Sequence, residues 1–191
     1  MDSVFTLPFP EYIVADEIGN HLHRGKGYAV CIPLSRQQKG MDLLVFDVKS
    51  RKSISIQVKS SRAYVGRPKK TDPPDGPFDY YLWFRAIGKS DINADYYAFV
   101  GIFPKKAIIN YSLGRKRSPK NWWSHIILLI PRSDVIKIMN KVKRNSDRFF
   151  DIGFDSDLKR VALTRVTKRA QSIDQYLIEN SIKGLEKNLR G

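Results

Sequence analysis

The sequence predicts an α/β fold, with helices at the start and in the last third of the chain and strands between. Three observations carry that expectation. After Glu11, apolar residues recur at helical spacing, at Val14, Ala15, Ile18 and Leu22. Strict alternation follows at Ile54, Ile56 and Val58. A second helical stripe appears at Val135, Ile138, Met139 and Val142. At 191 residues and 42% hydrophobic content, the chain suits one domain over 1–191 with a full core. Residues 131–191 read as a C-terminal elaboration, and there is no internal repeat or heptad run.

Taken in order, residues 1–10, with Pro8 and Pro10, form an extended lead-in. A helix begins near Pro10 and Glu11, since proline and an acid both suit a first turn. Residues 24–27 end it, with glycine available for the C-terminal cap. Residues 28–32 form a first strand, and 40–46 and 54–59 form two more. In the last of these Ser55, Gln57 and Lys59 face away from the apolar side. Residues 60–79 read as a long polar loop, a kind that is usually functional. Residues 80–86 and 96–103 are aromatic-rich strands, with 88–91 as their turn. Residues 125–130 are a buried strand, and a helix follows from Pro131 to about Arg144. A short apolar piece spans 149–154 and a strand 160–165. The last helix runs from about Ser172 to Leu189, capped by the Ser172 and Gln175 pair.

The formal charge of +15 and a pI near 9.9 point to a polyanionic partner, nucleic acid first. One cysteine, Cys31, excludes an intramolecular disulfide and a Cys-based zinc cluster. Its apolar neighbours suggest a small buried hydrophobe. The first residues lack a basic flank and apolar core, and the longest apolar run, 126–130, is too short to span a bilayer. The expectation is a cytoplasmic protein with no membrane contact.

The chemistry-bearing residues cluster early. Asp42 opens one strand, and a hairpin would bring its carboxylate to Gln57 and Lys59 on the next. Glu11 heads the buried helical stripe, whereas Glu17 lies off it and reads as solvated. A Gln-x-Lys triplet alone carries no weight, because an acid or amide two before lysine recurs by chance at roughly one position in a hundred. Its weight here comes from its phase on an apolar strand and from the upstream Asp and Glu. This order, carried by Glu11, Asp42, Gln57 and Lys59, resembles the PD-(D/E)XK nuclease superfamily. Gly27-Tyr28, Gly40 two before the Asp, and the text of residues 56–62 fit as well. The resemblance covers residues 11–62. It departs at Met41, where the family has proline, at Gln57, which is neutral, and at 60–79, where the family usually has a helix.

The resemblance implies a restriction-endonuclease-like core, a helix and then a mixed central sheet flanked by helices, with a helical C-terminal part. It also implies a metal-dependent DNA endonuclease, restriction-like in type, using Mg2+, with Mn2+ able to substitute. A hard dication neutralises charge on the scissile phosphate and generates a nucleophile from water. Asp42 would be the main carboxylate ligand, with the Gln57 side-chain carbonyl, the Val58 backbone carbonyl and Glu11 completing the set. Lys59 would orient the attacking water and stabilise charge at the phosphate.

Arg62, Arg67, Lys69, Lys70, Arg115, Lys116, Arg117 and Lys120 are the phosphate-contact candidates, in two segments that could flank double-stranded DNA. Lys159, Arg160, Arg165, Lys168 and Arg169 would extend that surface. Tyr80, Tyr81, Trp83, Phe84, Tyr96, Tyr97, Phe99, Trp122 and Trp123 alternate with small and aliphatic residues, which favours core packing over base stacking. His21, His23 and His125 lack a metal spacing. Cutting both strands of a duplex commonly takes a symmetric dimer, so a homodimer is expected. The competing expectations are a catalytically inactive nucleic-acid-binding protein on the same core, and a basic RNA-binding protein.

Overall fold

The computed structural model describes residues 9–33, 40–65, 77–104, 123–142, 149–164 and 170–191. The chain runs α1 (Phe9–His21), β1 (Tyr28–Cys31), β2 (Leu43–Asp47), β3 (Lys52–Val65), β4 (Tyr80–Arg85), β5 (Tyr96–Pro104) and β6 (Trp123–Pro131). There follow α2 (Arg132–Lys141), β7 (Phe149–Phe154), β8 (Val161–Leu163), β9 (Gln171–Ser172) and α3 (Ile178–Arg190). The strands form a mostly antiparallel sheet whose order is β1-β2-β3-β4-β7-β8-β9, with β5 and β6 branching from β3. One pair, β3 with β5, is parallel. Among the described residues no helix is long and apolar enough to cross a membrane.

The long strand β3 belongs to two half-sheets. Its first part ladders with β2 and β5, and its end, from Ala63 to Val65, ladders with β4. Alternation then assigns the faces. Ile54, Ile56 and Val58 join Leu43, Tyr96, Ala98 and Val100 under α1 and α3, whose buried stripes are Val14, Ile18 and Leu22, and Ile178, Ile182, Leu185 and Leu189. The opposite face of β5 and β6 meets the inner face of β4, β7 and β8 in a second, aromatic core around Tyr97, Phe99, Phe84 and Phe150, closed by Val135 and Ile138 of α2. Gly101 permits that approach: a Cβ there would lie 2.4 Å from a Leu82 methyl and 3.0 Å from Ile126 Cγ2.

Several expectations on the strand map are corrected. β4 and β5 are not a hairpin about residues 88–91. β4 pairs with β3 and β7, β5 with β3 and β6, and a 3-10 turn at Lys89–Asp91 separates them. Residues 60–65 continue β3 rather than begin a loop. The last helix starts at Ile178, because Gln171 and Ser172 are drawn into an edge pairing with β8 that requires extended backbone. The Ser172 hydroxyl donates to Asp174 instead of capping a helix. Cys31 is exposed at the end of β1, not buried.

Asp134, in the first turn of α2, accepts hydrogen bonds from Lys137 Nζ at 2.8 Å and from the Tyr176 hydroxyl at 2.9 Å. Burial works to raise the Asp134 carboxyl, but the bonds from Lys137 and Tyr176 outweigh it and hold the group below its ordinary value. With the folded value below the unfolded one, this stabilisation is complete above about pH 4 and is lost as the pH falls through the folded value. Asp134→Asn is therefore expected to cost about 1 kcal/mol at pH 7. That difference from wild type should shrink toward zero in urea titrations below about pH 4. A difference that grows on acidification would contradict the assignment.

Candidate metal and nucleic-acid site

The candidate site lies on β3. Over residues 57–62 the only strand laddered to β3, among the described residues, is β5, because the β2 ladder stops at Leu43 opposite Ile56 and the β4 ladder starts at Ala63 opposite Leu82. One edge of β3 therefore has no strand against it there. Side chains take up backbone groups on both sides of this gap. Asp42 Oδ2 accepts the Val58 N–H at 2.7 Å, while the Asp42 N–H donates to the Ile56 carbonyl at 2.9 Å. Further along, Ser61 Oγ accepts the Trp83 N–H at 3.0 Å and donates to the Arg62 carbonyl at 3.0 Å. Gly40, at φ 90°, supplies the left-handed residue that turns the chain into this approach.

Gln57 and Lys59 share one face of β3, in register with Tyr97 and Phe99 of β5. Both are partly buried. Gln57 Oε1 is shut off from solvent and, among the described residues, accepts no hydrogen bond. A buried carbonyl oxygen left without a donor costs about 1–3 kcal/mol, so its retention calls for an explanation such as a bound ion or water. The hairpin of β2 and β3 thus gathers Asp42, Gln57, Val58 and Lys59 into one stretch of sheet edge.

Glu11 is placed differently. It is half-buried in the first turn of α1, and α1 packs on the face where Ile56 and Val58 point, in the layer opposite Gln57 and Lys59. Glu17, expected to be solvated, is held by His125, whose Nε2 lies 3.1 Å from Glu17 Oε1. That contact joins α1 to β6 and gives His125 a structural role. Among the described residues no three His, Cys, Asp or Glu side chains gather to hold a metal. A cation at the β3 edge would therefore draw on amide and backbone oxygens beside Asp42, a donor set compatible with hard dications that retain several waters.

Of the basic candidates, Arg62 is exposed on β3, at the far end of the 57–62 stretch. Arg67, Lys69, Lys70, Arg115, Lys116, Arg117 and Lys120 lie outside the described residues, as do Arg165, Lys168 and Arg169. Arg160, expected on a DNA surface, is instead committed to structure: its guanidinium is bidentate to Asp155 at 2.6 and 3.1 Å and lies over the Phe78 ring. No family model, curated protein or solved structure matches the chain.

The aromatic residues divide. Tyr80, Tyr81, Phe84, Tyr96, Tyr97 and Phe99 are core residues, as expected. Trp83 and Trp123 are exposed at 49% and 62%, and Trp122 is outside the described residues. Tyr64, not singled out in the sequence, is stacked on Trp83 with ring centroids 4.8 Å apart. The signal lay in Arg85, two residues after Trp83 and therefore on the same face, which marks that face as the wet one.

Proposed function

We propose that the chain is a metal-dependent DNA endonuclease with a PD-(D/E)XK-like core, acting on duplex DNA in the cytoplasm and cutting both strands as a homodimer. The observation that carries this reading is the buried Gln57 Oε1, without a hydrogen-bond donor among the described residues, one residue from the Asp42–Val58 contact and with Lys59 on the same face of β3. Asp42, the Gln57 amide oxygen and the Val58 carbonyl would hold Mg2+, and Glu11, from the layer opposite Gln57, would reach it only around the sheet edge, through a metal-bound water. When bound, the ion supplies a Lewis acid for the phosphate and lowers the pKa of water. Asp42 has its second oxygen for that duty, since Oδ2 is taken by the Val58 N–H. Lys59 positions the attacking water and counters the charge that develops on the phosphate. The net charge of +15 draws the polyanion to this edge.

A second reading is favoured by one specific observation. The helix bearing Glu11 packs on the layer opposite Gln57 and Lys59, and Gln57 is neutral, so Asp42 is the carboxylate on which the β3 edge depends. With so little negative charge, the same site suits a DNA-binding protein without catalysis. Supercoiled plasmid separates the two. Nicking is expected with Mg2+ or Mn2+ and none in chelator, and Lys59→Met should slow it at least about a hundredfold. Plasmid that is bound but never nicked under either metal would leave the binding reading alone standing.

A further inference from the structure

The outward face of the second half-sheet carries aromatic surface that the proposed nuclease site does not use. Tyr64 of β3 and Trp83 of β4 stack at 4.8 Å with an interplanar angle of 24°, yet 46% and 49% of their surfaces remain exposed. Phe149 of β7, opposite Arg85, is exposed at 46% on the same face. A cross-strand aromatic pair adds modestly to a sheet, but that role does not require leaving nearly half of each residue exposed. Two exposed cations flank the pair: Arg62, two residues before Tyr64, and Arg85, two after Trp83. Among the described positions of β3, β4 and β7 the acid on this face is Asp151, buried at 1% exposure. Flat rings between arginines on a chain of charge +15 match the chemistry of unpaired nucleobases on a phosphate backbone.

We propose that Tyr64 and Trp83 are a stacking platform for an unpaired base of a DNA strand, with Arg62 and Arg85 on the neighbouring phosphates. This rests on the nuclease reading for the choice of DNA, and it narrows the substrate to DNA with a single-stranded segment, such as an overhang or a bubble. Tyr64 follows Lys59 on the same strand at a distance of about 17 Å, from a rise near 3.3 Å per residue. The two side chains point to opposite faces of β3. A DNA strand joining them would cross β3 at residues 57–62, where no strand among the described residues lies against one edge, and pass Arg62 on the way.

The test is fluorescence anisotropy in chelator, where cleavage plays no part, with three labelled probes of equal length: a DNA strand, the same strand made abasic, and a blunt duplex. Wild type should hold the base-bearing strand at least about tenfold tighter than the abasic one. Tyr64→Ala and Trp83→Ala should each lose roughly ten- to hundredfold on the base-bearing strand and stay within about twofold on the other two probes. Tyr64→Phe should bind as wild type. Equal affinity of wild type for the base-bearing and abasic strands overturns the proposal without recourse to any variant. So does a loss spread evenly over all three probes, or, with a fourth probe added, a tighter hold on RNA of the same sequence. Plasmid left intact in metal would end the nuclease reading while these affinities stood, and an active nuclease indifferent to the abasic change would do the reverse.

Discussion

Asp42→Asn is expected to reduce metal-dependent cleavage by about a thousandfold or more while the protein stays folded. On the proposed reading the carboxylate has two duties, and this substitution separates them. Oδ2 accepts the Val58 N–H, and an asparagine carbonyl in the same position can still accept it. The negative charge is what the asparagine removes. A metal ion contributes several kcal/mol of charge stabilisation, and at roughly 1.4 kcal/mol per decade its loss costs about three orders of magnitude. Asp42→Ala removes both functions and should also cost about 1–3 kcal/mol of stability, because the Val58 amide is left without its acceptor. Plasmid nicking and urea unfolding on the same three proteins provide the check. An asparagine variant that nicks at the wild-type rate would mean that Asp42 only pins the hairpin.

Phe99→Ala should be the most destabilising single truncation among those argued, at about 3–5 kcal/mol against a typical total of 5–15 kcal/mol. Phe99 is 1% exposed and meets Phe84 and Phe150 edge-on, with centroids at 5.0 and 5.4 Å. Those partners sit on β4 and β7, so this one ring ties the β5 branch to the second half-sheet. Phe99 is also the register partner of Lys59, so the loss should loosen the candidate site as well. Urea unfolding measures it directly. A cost below about 1 kcal/mol would be incompatible with the ring packing described.

The sequence was most legible where periodicity and burial coincide. The stripe of α1 and the alternation of β3 each bury one face, so α1, β2 and β3 could be read off, and so could the approach of Asp42 to the Gln57 stretch. Pairing partners were not legible in the aromatic strands. β4 and β5 have similar composition and a short connection, yet they pair elsewhere and meet face to face, with Phe84, Phe99 and Phe150 packed on one another across the core. Ser172 misled for a related reason: a local capping pattern lost to a strand edge that needed a partner. The Tyr64–Trp83 stack was hidden because Tyr64 fell in a segment read as loop, and a lone tryptophan in an aromatic strand resembles core.

The shared strand β3 also dictates an order of assembly. Its first residues pair with β2 across a tight turn, a contact that closes quickly because little chain entropy is spent. Its middle gains a ladder only when β5 arrives from much further along, with Ile56 meeting Tyr96 in parallel, and such non-local pairing is slow. Gln57 and Lys59 should therefore reach their final positions after the hairpin that carries Asp42 has formed. In pulsed hydrogen exchange the amide of Val45 should gain protection before that of Lys59.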